Sequence, residues 1–451
     1  MCSTKGTSRI LTLSDFHATK LNNDRNIYLY LPPEYDVYPD KRYPVLYMHD
    51  GQNIFDPSTS STGTSWEIHK TADRLISEGK IRELIIVGIA FKERGKEFSH
   101  YSWNKKAVKW NEYARFEYTI DGKGELYEDF IINDLKPYID KNFRTLPDKD
   151  NTGLMGSSAG GLVTFNIGIR HPDIFSKLGI MSPAFFGMDF DVLNRLDKKD
   201  LKMWFDTGEK EPCLMEDTKH VVDLLLSKGY TEGKDLIYYQ VPDGFHSNKD
   251  WGERAAGPLI FFFGDIGEPV HAELTGRNQI GRNEDEVRVN SVISYKSGLV
   301  RSDLNGSYAV EDPEILDIKP DGVIKPKMEG ITKVDYTFGN VRASKEYRVV
   351  ENLSKNVKIE FEVKVPESTP EDAVIFADTY SPINLGMEKA ARGIYKGTFY
   401  LPRGLNVNYR LKMVCRNQLS VEKDTDLHDI PFRQLEAVKD EEIQCIVNRW
   451  G

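Results

Sequence analysis

The sequence predicts an α/β region with a mostly parallel sheet and helices on both faces, followed by two all-β sandwich domains. Short β-rich apolar runs alternate with helix-like segments from Asn26 to Ile266. After about Gly267 the helical periodicity stops, and Gly, Pro, Asn and Asp recur at the spacing of short strands joined by turns. We therefore expect three domains, at residues 1–266, 267–352 and 353–451, which suits about 150 residues per domain.

The first region is defined by strands and helices in alternation. The strand candidates are Ile27–Leu31, Val45–Met48, Leu84–Ala90, Thr152–Met155, Lys177–Met181, Lys202–Phe205 and Leu236–Val241. The helix candidates are Glu67–Ser77, Leu126–Lys141, Gly160–Arg170, Glu216–Ser227 and Gly252–Phe263. Such alternation implies βαβ crossovers and a parallel sheet covered on both faces. Ligands of such sheets bind at the carboxyl ends of the strands.

The two later regions contain only strand-like runs. Those of the second region are Val287–Tyr295, Gly306–Val310, Ile315–Lys319, Gly322–Ile324, Thr332–Phe338 and Tyr347–Val350. Those of the third are Val357–Val365, Ala373–Ala377, Gly393–Tyr400, Leu405–Met413 and Glu442–Asn448. We expect each region to form a β-sandwich.

Composition excludes several classes of function. The chain has 60 Lys and Arg against 70 Asp and Glu, a net charge of -10, and no basic run that could follow a phosphate backbone. Apolar runs such as Leu84–Phe91 are far shorter than the roughly 20 residues that span a bilayer. Four cysteines, at positions 2, 213, 415 and 445, are too few and too scattered for a disulfide framework or a paired-thiolate zinc site.

The N-terminus allows two interpretations of location. It lacks the basic and apolar regions of a signal peptide, yet Cys2 directly follows Met1 and precedes a short polar stretch. This start suits either a cytoplasmic protein or a lipoprotein whose signal has been removed. Because appended β domains are commonest on proteins that act on polymers outside the cytoplasm, we expect an extracellular or cell-surface location and leave a cytoplasmic one open. The oligomeric state is also left open.

Residues Gly156–Gly160 fit G-x-S-x-G, a strained strand-to-helix turn that raises a serine oxygen above a sheet. A strand candidate enters the turn and a helix candidate leaves it, which favours the motif over a surface Gly/Ser turn. We predict Ser158 as the nucleophile. A serine hydroxyl needs a base, normally a histidine oriented by a carboxylate.

The base and the acid are expected to follow the serine along the chain. Among the histidines, His246 follows the last strand of the first region through a Gly-containing loop, whereas His171 and His220 fall in or beside predicted helices. We predict His246 as the base. The loop after the preceding strand supplies Glu211 as the predicted acid, with Asp206 and Asp217 as alternatives.

The oxyanion of the tetrahedral intermediate needs two backbone N–H donors. We predict the amides of Ala159, after the serine, and Gln52, in the Gly-containing loop after an early strand. An alternative interpretation makes His49, Asp50 and Asp56 metal ligands. We favour a bracing role for them, since no H-E-x-x-H or matching His pair accompanies them. The predicted chemistry requires no cofactor and no metal.

Four stretches together resemble a known family: Arg25–Tyr35 (RNIYLYLPPEY), Tyr43–Phe55 (YPVLYMHDGQNIF), Gly156–Gly161 (GSSAGG) and Gly244–Ser247 (GFHS). This set, in this order, is similar to the "Putative esterase" family, which includes feruloyl and acetyl-xylan esterases, enterochelin-type esterases and mycolyltransferases. The resemblance covers about residues 9–265. It implies an α/β-hydrolase fold, a Ser158–His246–Glu211 triad and an oxyanion hole at Gln52 and Ala159.

The later regions carry weaker resemblances. The run GSYAV, PEILDI, DGVI and GITKV in residues 306–334 resembles bacterial immunoglobulin-like domains. The last region resembles a starch-binding-type, family 20-like carbohydrate-binding module in stretches such as GIYKGTFYLPRG at residues 393–404. The tryptophans on which such modules stack sugars are absent from the expected places, and Trp450 is expected in the core. A structural role is therefore favoured over sugar binding.

Together these features predict a serine carboxylester hydrolase that removes acyl groups from a glycan or a related natural ester. Two alternatives stay open: an acyltransferase using the same triad, and a catalytically inactive glycan-binding or adhesion protein. The expected partner is an ester-bearing carbohydrate or small natural ester, not nucleic acid. Aromatic residues that could line the pocket or pack in the core are Trp66, Tyr101, Trp103, Trp110, Phe185 and Phe186.

Overall fold

The computed structural model describes residues 6–60, 62–100, 103–105, 118–185, 193–195, 197–284, 287–379, 384–416, 418–428 and 430–451. The strands of its first region are β1 (Arg9–Ala18), β2 (Asn23–Leu31), β3 (Val45–His49), β4 (Ile85–Ile89), β5 (Trp103–Lys105), β6 (Tyr118–Ile120), β7 (Thr152–Ser157), β8 (Lys177–Met181), β9 (Lys202–Gly208) and β10 (Leu236–Val241). The α-helices are α1 (Ile68–Ser77), α2 (Arg94–Glu97), α3 (Gly124–Asp129), α4 (Lys136–Asn142), α5 (Ala159–Arg170), α6 (Pro212–Ser227), α7 (Asn248–Arg254) and α8 (Ala256–Phe263). A π-helical turn, Phe130–Leu135, joins α3 to α4, and short 3₁₀ turns lie at Gly51–Asn53 and Lys149–Asn151.

Eight strands form one sheet in the order β1-β2-β4-β3-β7-β8-β9-β10. The ladders from β4 to β10 are parallel, whereas β1 pairs antiparallel with β2, and β2 pairs antiparallel with β4. Every residue of β3, β4, β7 and β8 is buried, which explains their continuous apolar runs, since helices cover both faces. The predicted mostly parallel α/β sheet is confirmed.

Several elements of the first region differ from the sequence prediction, among them the three that follow. Strand β1 was not predicted, because most of its side chains are exposed at the edge of the sheet and its apolar pattern is correspondingly weak. The helix predicted over Gly252–Phe263 is two helices, and the first begins earlier because Ser247 caps it by accepting a hydrogen bond from the Asp250 amide. The helix predicted over Leu126–Lys141 contains the π-helical turn.

The middle β region comprises β11 (Pro269–Thr275), β12 (Gln279–Gly281), β13 (Val287–Arg288), β14 (Asn290–Tyr295), β15 (Val300–Ser302), β16 (Ser307–Val310), β17 (Leu316–Ile318), β18 (Val323–Pro326), β19 (Gly330–Phe338) and β20 (Val341–Val350). The C-terminal β region comprises β21 (Asn356–Lys364), β22 (Val374–Asp378), β23 (Asn384–Ala391), β24 (Ile394–Pro402), β25 (Asn406–Cys415), β26 (Gln418–Lys423), β27 (Arg433–Glu436), β28 (Glu441–Ile446) and β29 (Arg449–Trp450). Beyond α8, the described residues contain strands and no helix, as expected. The exact domain limits and the immunoglobulin-like and carbohydrate-binding-module-like identities stay predictions.

The middle β region is docked on the α/β sheet through a common core. Ile293, Tyr295 and Leu299 belong to the same apolar cluster as the buried residues of α1 and α8. Beside β10, the Gln240 amide donates to Ser302 Oγ at 3.0 Å, and its carbonyl accepts from Asn290 Nδ2 at 3.0 Å. Hydrophobic packing and hydrogen bonds therefore both hold this region against the last strand of the sheet.

The C-terminal β region has an apolar core of its own, contributed by strands β21 to β28. Trp450 packs against this core from its edge and donates from Nε1 to Thr369 Oγ1 at 2.9 Å, which agrees with the expected core role. Within the described part of the chain, no helix is both long and apolar enough to cross a lipid bilayer.

Candidate active site

Ser158 lies between β7 and α5, at the carboxyl edge of the sheet. Its backbone has φ 59° and ψ −123°, a conformation that non-glycine residues rarely adopt. Hydrogen bonds hold the turn: the Ser158 amide donates to the Met181 carbonyl at 2.9 Å, and the Ala184 amide donates to the Ser158 carbonyl at 3.0 Å. The strained strand-to-helix turn expected of G-x-S-x-G is therefore present.

The glycines around Ser158 permit close backbone approaches. A Cβ at Gly156 would lie 2.8 Å from the backbone of Gly160, and one at Gly161 would lie 3.0 Å from the Met181 carbonyl oxygen. The first distance is too short for a carbon atom, and the second is tighter than most contacts that a Cβ makes. Glycine at these positions lets helix α5 start directly behind the serine, so that its free N-terminal amides face the carboxyl edge of the sheet.

His246 and Glu211 meet at the same edge. His246 lies in the loop after β10, and its Nδ1 is hydrogen-bonded to Glu211 Oε1. The imidazole also packs edge-on against the Trp251 indole, with ring centroids 4.7 Å apart. The carboxylate and the indole together fix the orientation of the ring, as a general base requires.

The Glu211 carboxylate is almost completely buried, with 2% of the residue exposed. Its Oε2 accepts hydrogen bonds from the Gly208 amide at 2.6 Å and from Ser182 Oγ at 2.8 Å. Burial acts to raise the pKa of Glu211, but His246, Arg254 and the Gly208 amide outweigh it and hold the pKa below its usual value. Glu211 is therefore anionic at neutral pH and can stabilise a charged imidazole.

The two alternative acids lie elsewhere. Asp206 is fully buried at the end of β9, where Oδ1 accepts from Arg254 Nε at 3.0 Å and Oδ2 accepts from Trp204 Nε1 at 2.7 Å. Burial raises the pKa of Asp206 despite this arginine. Asp217 lies on α6 among Glu216 and His220. Of the three acids weighed from the sequence, Glu211 is the one hydrogen-bonded to His246.

The other candidate histidines are engaged outside the site. His171 ends helix α5, and its Nε2 is hydrogen-bonded to Glu128 Oε1 at 2.7 Å. His220 is exposed on helix α6. These positions agree with the preference for His246.

Sequence reasoning missed a hydrogen-bonded cluster beneath the His246–Glu211 pair. Ser182 Oγ accepts hydrogen bonds from Trp251 Nε1 at 3.0 Å and Arg254 Nη2 at 2.6 Å while donating to Glu211. Ser182 follows β8 with a positive φ of 38°. Its place directly after a buried parallel strand is the signal that could have identified it. The cluster ties α7 to the loop that carries the acid.

His49, Asp50 and Asp56 have partners other than a metal. Asp50 forms a two-point ion pair with Arg94, at 2.6 Å and 2.9 Å, and Arg94 also donates to the Ser157 carbonyl at 3.2 Å. His49 Nδ1 is hydrogen-bonded to Tyr127 Oη at 2.9 Å, and Asp56 accepts from the Ser58 amide at 2.8 Å. Asp50 and Arg94 therefore brace the loop against the nucleophile turn.

The two predicted oxyanion donors directly follow two neighbouring strands of the sheet. Gln52 is the second residue of the 3₁₀ turn that follows β3, and Ala159 is the first residue of α5, which follows β7. Strands β3 and β7 are adjacent and parallel, so both amides lie at the same edge of the sheet. The Gln52 side chain accepts a hydrogen bond from the Phe91 amide at 3.3 Å. Their role as oxyanion donors stays a prediction.

Ser158 and His246 share one cavity of about 690 Å³, a size typical of small-molecule sites. Within the residues described, no hydrogen bond joins Ser158 Oγ to the His246 ring, a contact that often tightens only when substrate binds. Of the suggested pocket aromatics, Trp66 and Phe185 are buried in the core. Tyr101, Trp110, Phe186 and the side chain of Trp103 lie outside the described residues.

Comparisons with known proteins identify a family for this chain. A family model described as "Putative esterase" matches residues 18–261, just over half of the chain. The Bacillus subtilis protein YbbA, itself uncharacterized, is 21% identical over 53% of this chain and 93% of its own length. A Xylanibacter ruminicola endo-1,4-beta-xylanase/feruloyl esterase is 32% identical over 32% of this chain and 17% of its own length. A solved structure of a ferulic acid esterase is 22% identical over 57% of this chain and 98% of its own, with a TM-score of 0.43.

Proposed function

The chain belongs to the "Putative esterase" family, and on that premise we propose that it is a serine carboxylester hydrolase that removes an acyl group from a glycan or a related natural ester. The observation that carries the proposal is the buried Glu211–His246 hydrogen bond on the wall of the cavity that also contains Ser158. An imidazole hydrogen-bonded to a buried carboxylate beside a strained serine turn suits nucleophilic acyl transfer.

In the proposed reaction, Ser158 Oγ attacks the acyl carbon while His246 Nε2 accepts the hydroxyl proton. Glu211 holds Nδ1–H and stabilises the imidazolium that forms. The Ala159 and Gln52 amides donate hydrogen bonds to the oxyanion. The C–O bond to the alcohol then breaks, and the imidazolium gives its proton to the leaving oxygen. Water then attacks the acyl carbon of the acyl-enzyme while His246 Nε2 accepts its proton. The bond between the acyl carbon and Ser158 Oγ breaks, the imidazolium returns the proton to Ser158 Oγ, and the free acid leaves.

Two features favour a substrate ester that carries a sizeable acyl or alcohol group. The cavity of about 690 Å³ is much larger than an acetyl group requires. One relative's name includes feruloyl esterase, although this chain matches only 17% of that protein. Esters with an aromatic acid or a sugar alcohol are therefore the substrates to test first.

The first experiment measures hydrolysis of nitrophenyl esters of increasing chain length, methyl ferulate and acetylated xylan, together with labelling by a fluorophosphonate probe. We expect cleavage of at least the short esters and covalent labelling of Ser158. Ser158→Ala should lower turnover by roughly 10⁴-fold or more while the protein stays folded, because the nucleophile is lost. Retained turnover in that variant would exclude Ser158 as the nucleophile.

The same assay distinguishes the alternatives. An acyltransferase would divert product to an added acceptor alcohol at the expense of hydrolysis. A binding protein with an inactive core would neither hydrolyse the esters nor react with the probe.

A further inference from the structure

One wall of the active-site cavity comes from the C-terminal β region. Arg410 and Phe432 line the cavity together with Ser158 and His246. Arg410 lies on β25, and Phe432 directly precedes β27, which pairs antiparallel with β25 through Tyr409 and Arg433. The two lining residues are therefore next to each other across this ladder, about 160 residues beyond the last residue of the α/β region's final helix.

The wall contacts the loop of the predicted base through aromatic rings. The Arg410 guanidinium lies over the Phe432 ring, 4.0 Å from its centroid. Phe432 in turn packs edge-on against Phe245, with centroids 4.9 Å apart and planes at 64°. Phe245 immediately precedes His246, and its amide is anchored by Asp250 Oδ1 at 2.9 Å. Phe432 is thus separated from the His246 backbone by one ring, that of Phe245, and Arg410 stacks on Phe432.

The chemistry of this pair suits a ring that carries oxygen atoms. A guanidinium can stack on an aromatic face and donate hydrogen bonds from its edge to hydroxyl or carboxylate oxygens. An aromatic side chain contacts the flat face of an aryl group or the apolar face of a sugar. Phe432 is only partly buried, although it contacts both Arg410 and Phe245, so part of its surface faces the cavity.

We propose that Arg410 and Phe432 determine specificity by binding the ring-bearing part of the ester beside the scissile bond. The C-terminal β region is then part of the active site and not a remote attachment. This inference rests on the proposed esterase function. A small ester lacks the group that reaches this wall, so the wall should affect large substrates and leave small ones unchanged.

The test compares a small ester without a ring, ethyl acetate, with three ring-bearing esters: methyl ferulate, 4-nitrophenyl acetate and acetylated xylo-oligosaccharides. For the ring-bearing ester that the unmodified enzyme cleaves best, Phe432→Ala should lower kcat/KM roughly tenfold, mainly through a higher KM. Arg410→Ala should lower it roughly tenfold to a hundredfold. Turnover of ethyl acetate should stay within about twofold.

Conservative variants and a control separate recognition from folding. Phe432→Tyr and Arg410→Lys should recover part of the lost kcat/KM, and Tyr400→Ala, at a 69% exposed position on β24 of the same sheet, should change nothing. The inference is overturned if the variants affect both classes of ester equally or neither, or if the unmodified enzyme cleaves ethyl acetate but no ring-bearing ester. An enzyme that cleaves no ester at all would instead reject the proposed function.

Discussion

The carboxyl edge of the α/β sheet buries charged side chains, whereas the core of the C-terminal β region buries almost only apolar ones. At the sheet edge, Asp206, Glu211 and Arg254 are each at most 9% exposed, and Ser158 and Ser182 have positive φ angles. The C-terminal core is built mainly from Val, Ile, Leu, Phe, Tyr, Met and Ala side chains, and among its described residues the one fully buried charge is Glu422, which is paired with Arg433. Burying charges costs free energy even when they are paired. The sheet edge therefore maintains the geometry of the candidate site at some cost in folding stability, whereas the apolar core of the C-terminal β region adds to folding stability.

The largest effect that sharpens this comparison is expected from Glu211→Gln. The amide cannot hold the imidazolium as the carboxylate does, so kcat should fall roughly 10³- to 10⁴-fold. Steady-state kinetics on a short nitrophenyl ester would measure the loss. Asp217→Asn, which changes an acid on the same helix-and-loop segment, should keep full activity. A Glu211→Gln variant with lower stability but unchanged kcat would mean that this buried carboxylate has only a structural role.

A core truncation should show the opposite behaviour. Phe361 on β21 is 2% exposed and packs edge-on against Tyr409 at 5.5 Å. Phe361→Ala should lower the free energy of unfolding of this region by about 3–5 kcal/mol, because it leaves a cavity. Turnover of ethyl acetate at 25 °C should stay within about twofold. Denaturant unfolding and activity measured on one sample would reveal any coupling between the two properties.

Asp206→Asn should fall between these two cases. The substitution removes the nearer of the two carboxylates paired with the buried Arg254 guanidinium and leaves Glu211 at 3.8 Å. We expect a loss of about 3 kcal/mol in the free energy of unfolding. Because Asp206 does not contact His246, kcat should change less than about tenfold. A loss of kcat as large as that of Glu211→Gln would mean that Asp206 has a direct part in catalysis.

The smallest expected effect is the dependence of folding stability on pH. Burial, followed by the charges of Arg94 and His100, lowers the pKa of His49 to about 3. The unfolded chain binds this proton near pH 6.5, so the stability contributed by neutral His49 is complete above about pH 6.5 and is lost as pH falls toward the folded-state pKa.

At pH 5 this loss should reach about 2 kcal/mol, measurable as a lower melting temperature. His49→Gln should flatten the dependence between pH 7 and pH 5. His220→Gln, at an exposed position on α6, should leave the dependence unchanged. A melting temperature that is constant over this range in the unmodified protein would contradict the expectation.

The sequence was informative where a local pattern determines the structure. The buried strands were recognisable as apolar runs, and Ser158, His246 and Glu211 were identified from a turn motif and from the order of elements along a parallel sheet. Ser182 was missed although it directly follows a buried parallel strand. Arg254 could not be found in this way, because its part in the site depends on how α7 packs against Asp206 and Ser182. Strand β1 was missed because only scattered side chains of this edge strand are buried.

Other expectations go beyond what geometry decides. The catalytic roles, the domain limits, the resemblances of the two β regions and the extracellular or cell-surface location stay predictions. The contribution of Arg410 and Phe432 to the cavity could not be expected from the sequence, since it depends on how the C-terminal β region packs against the His246 loop.

The core shared by the α/β sheet and the middle β region limits how the protein can be divided. Ile293, Tyr295 and Leu299 form one apolar patch with side chains of α8, among them Phe261 and Phe262. An α/β fragment excised at residue 266 would expose this patch to water and tend to aggregate. Shorter versions of the enzyme should therefore keep β14 and β15, and gene fusions that insert a flexible hinge at this junction should be avoided.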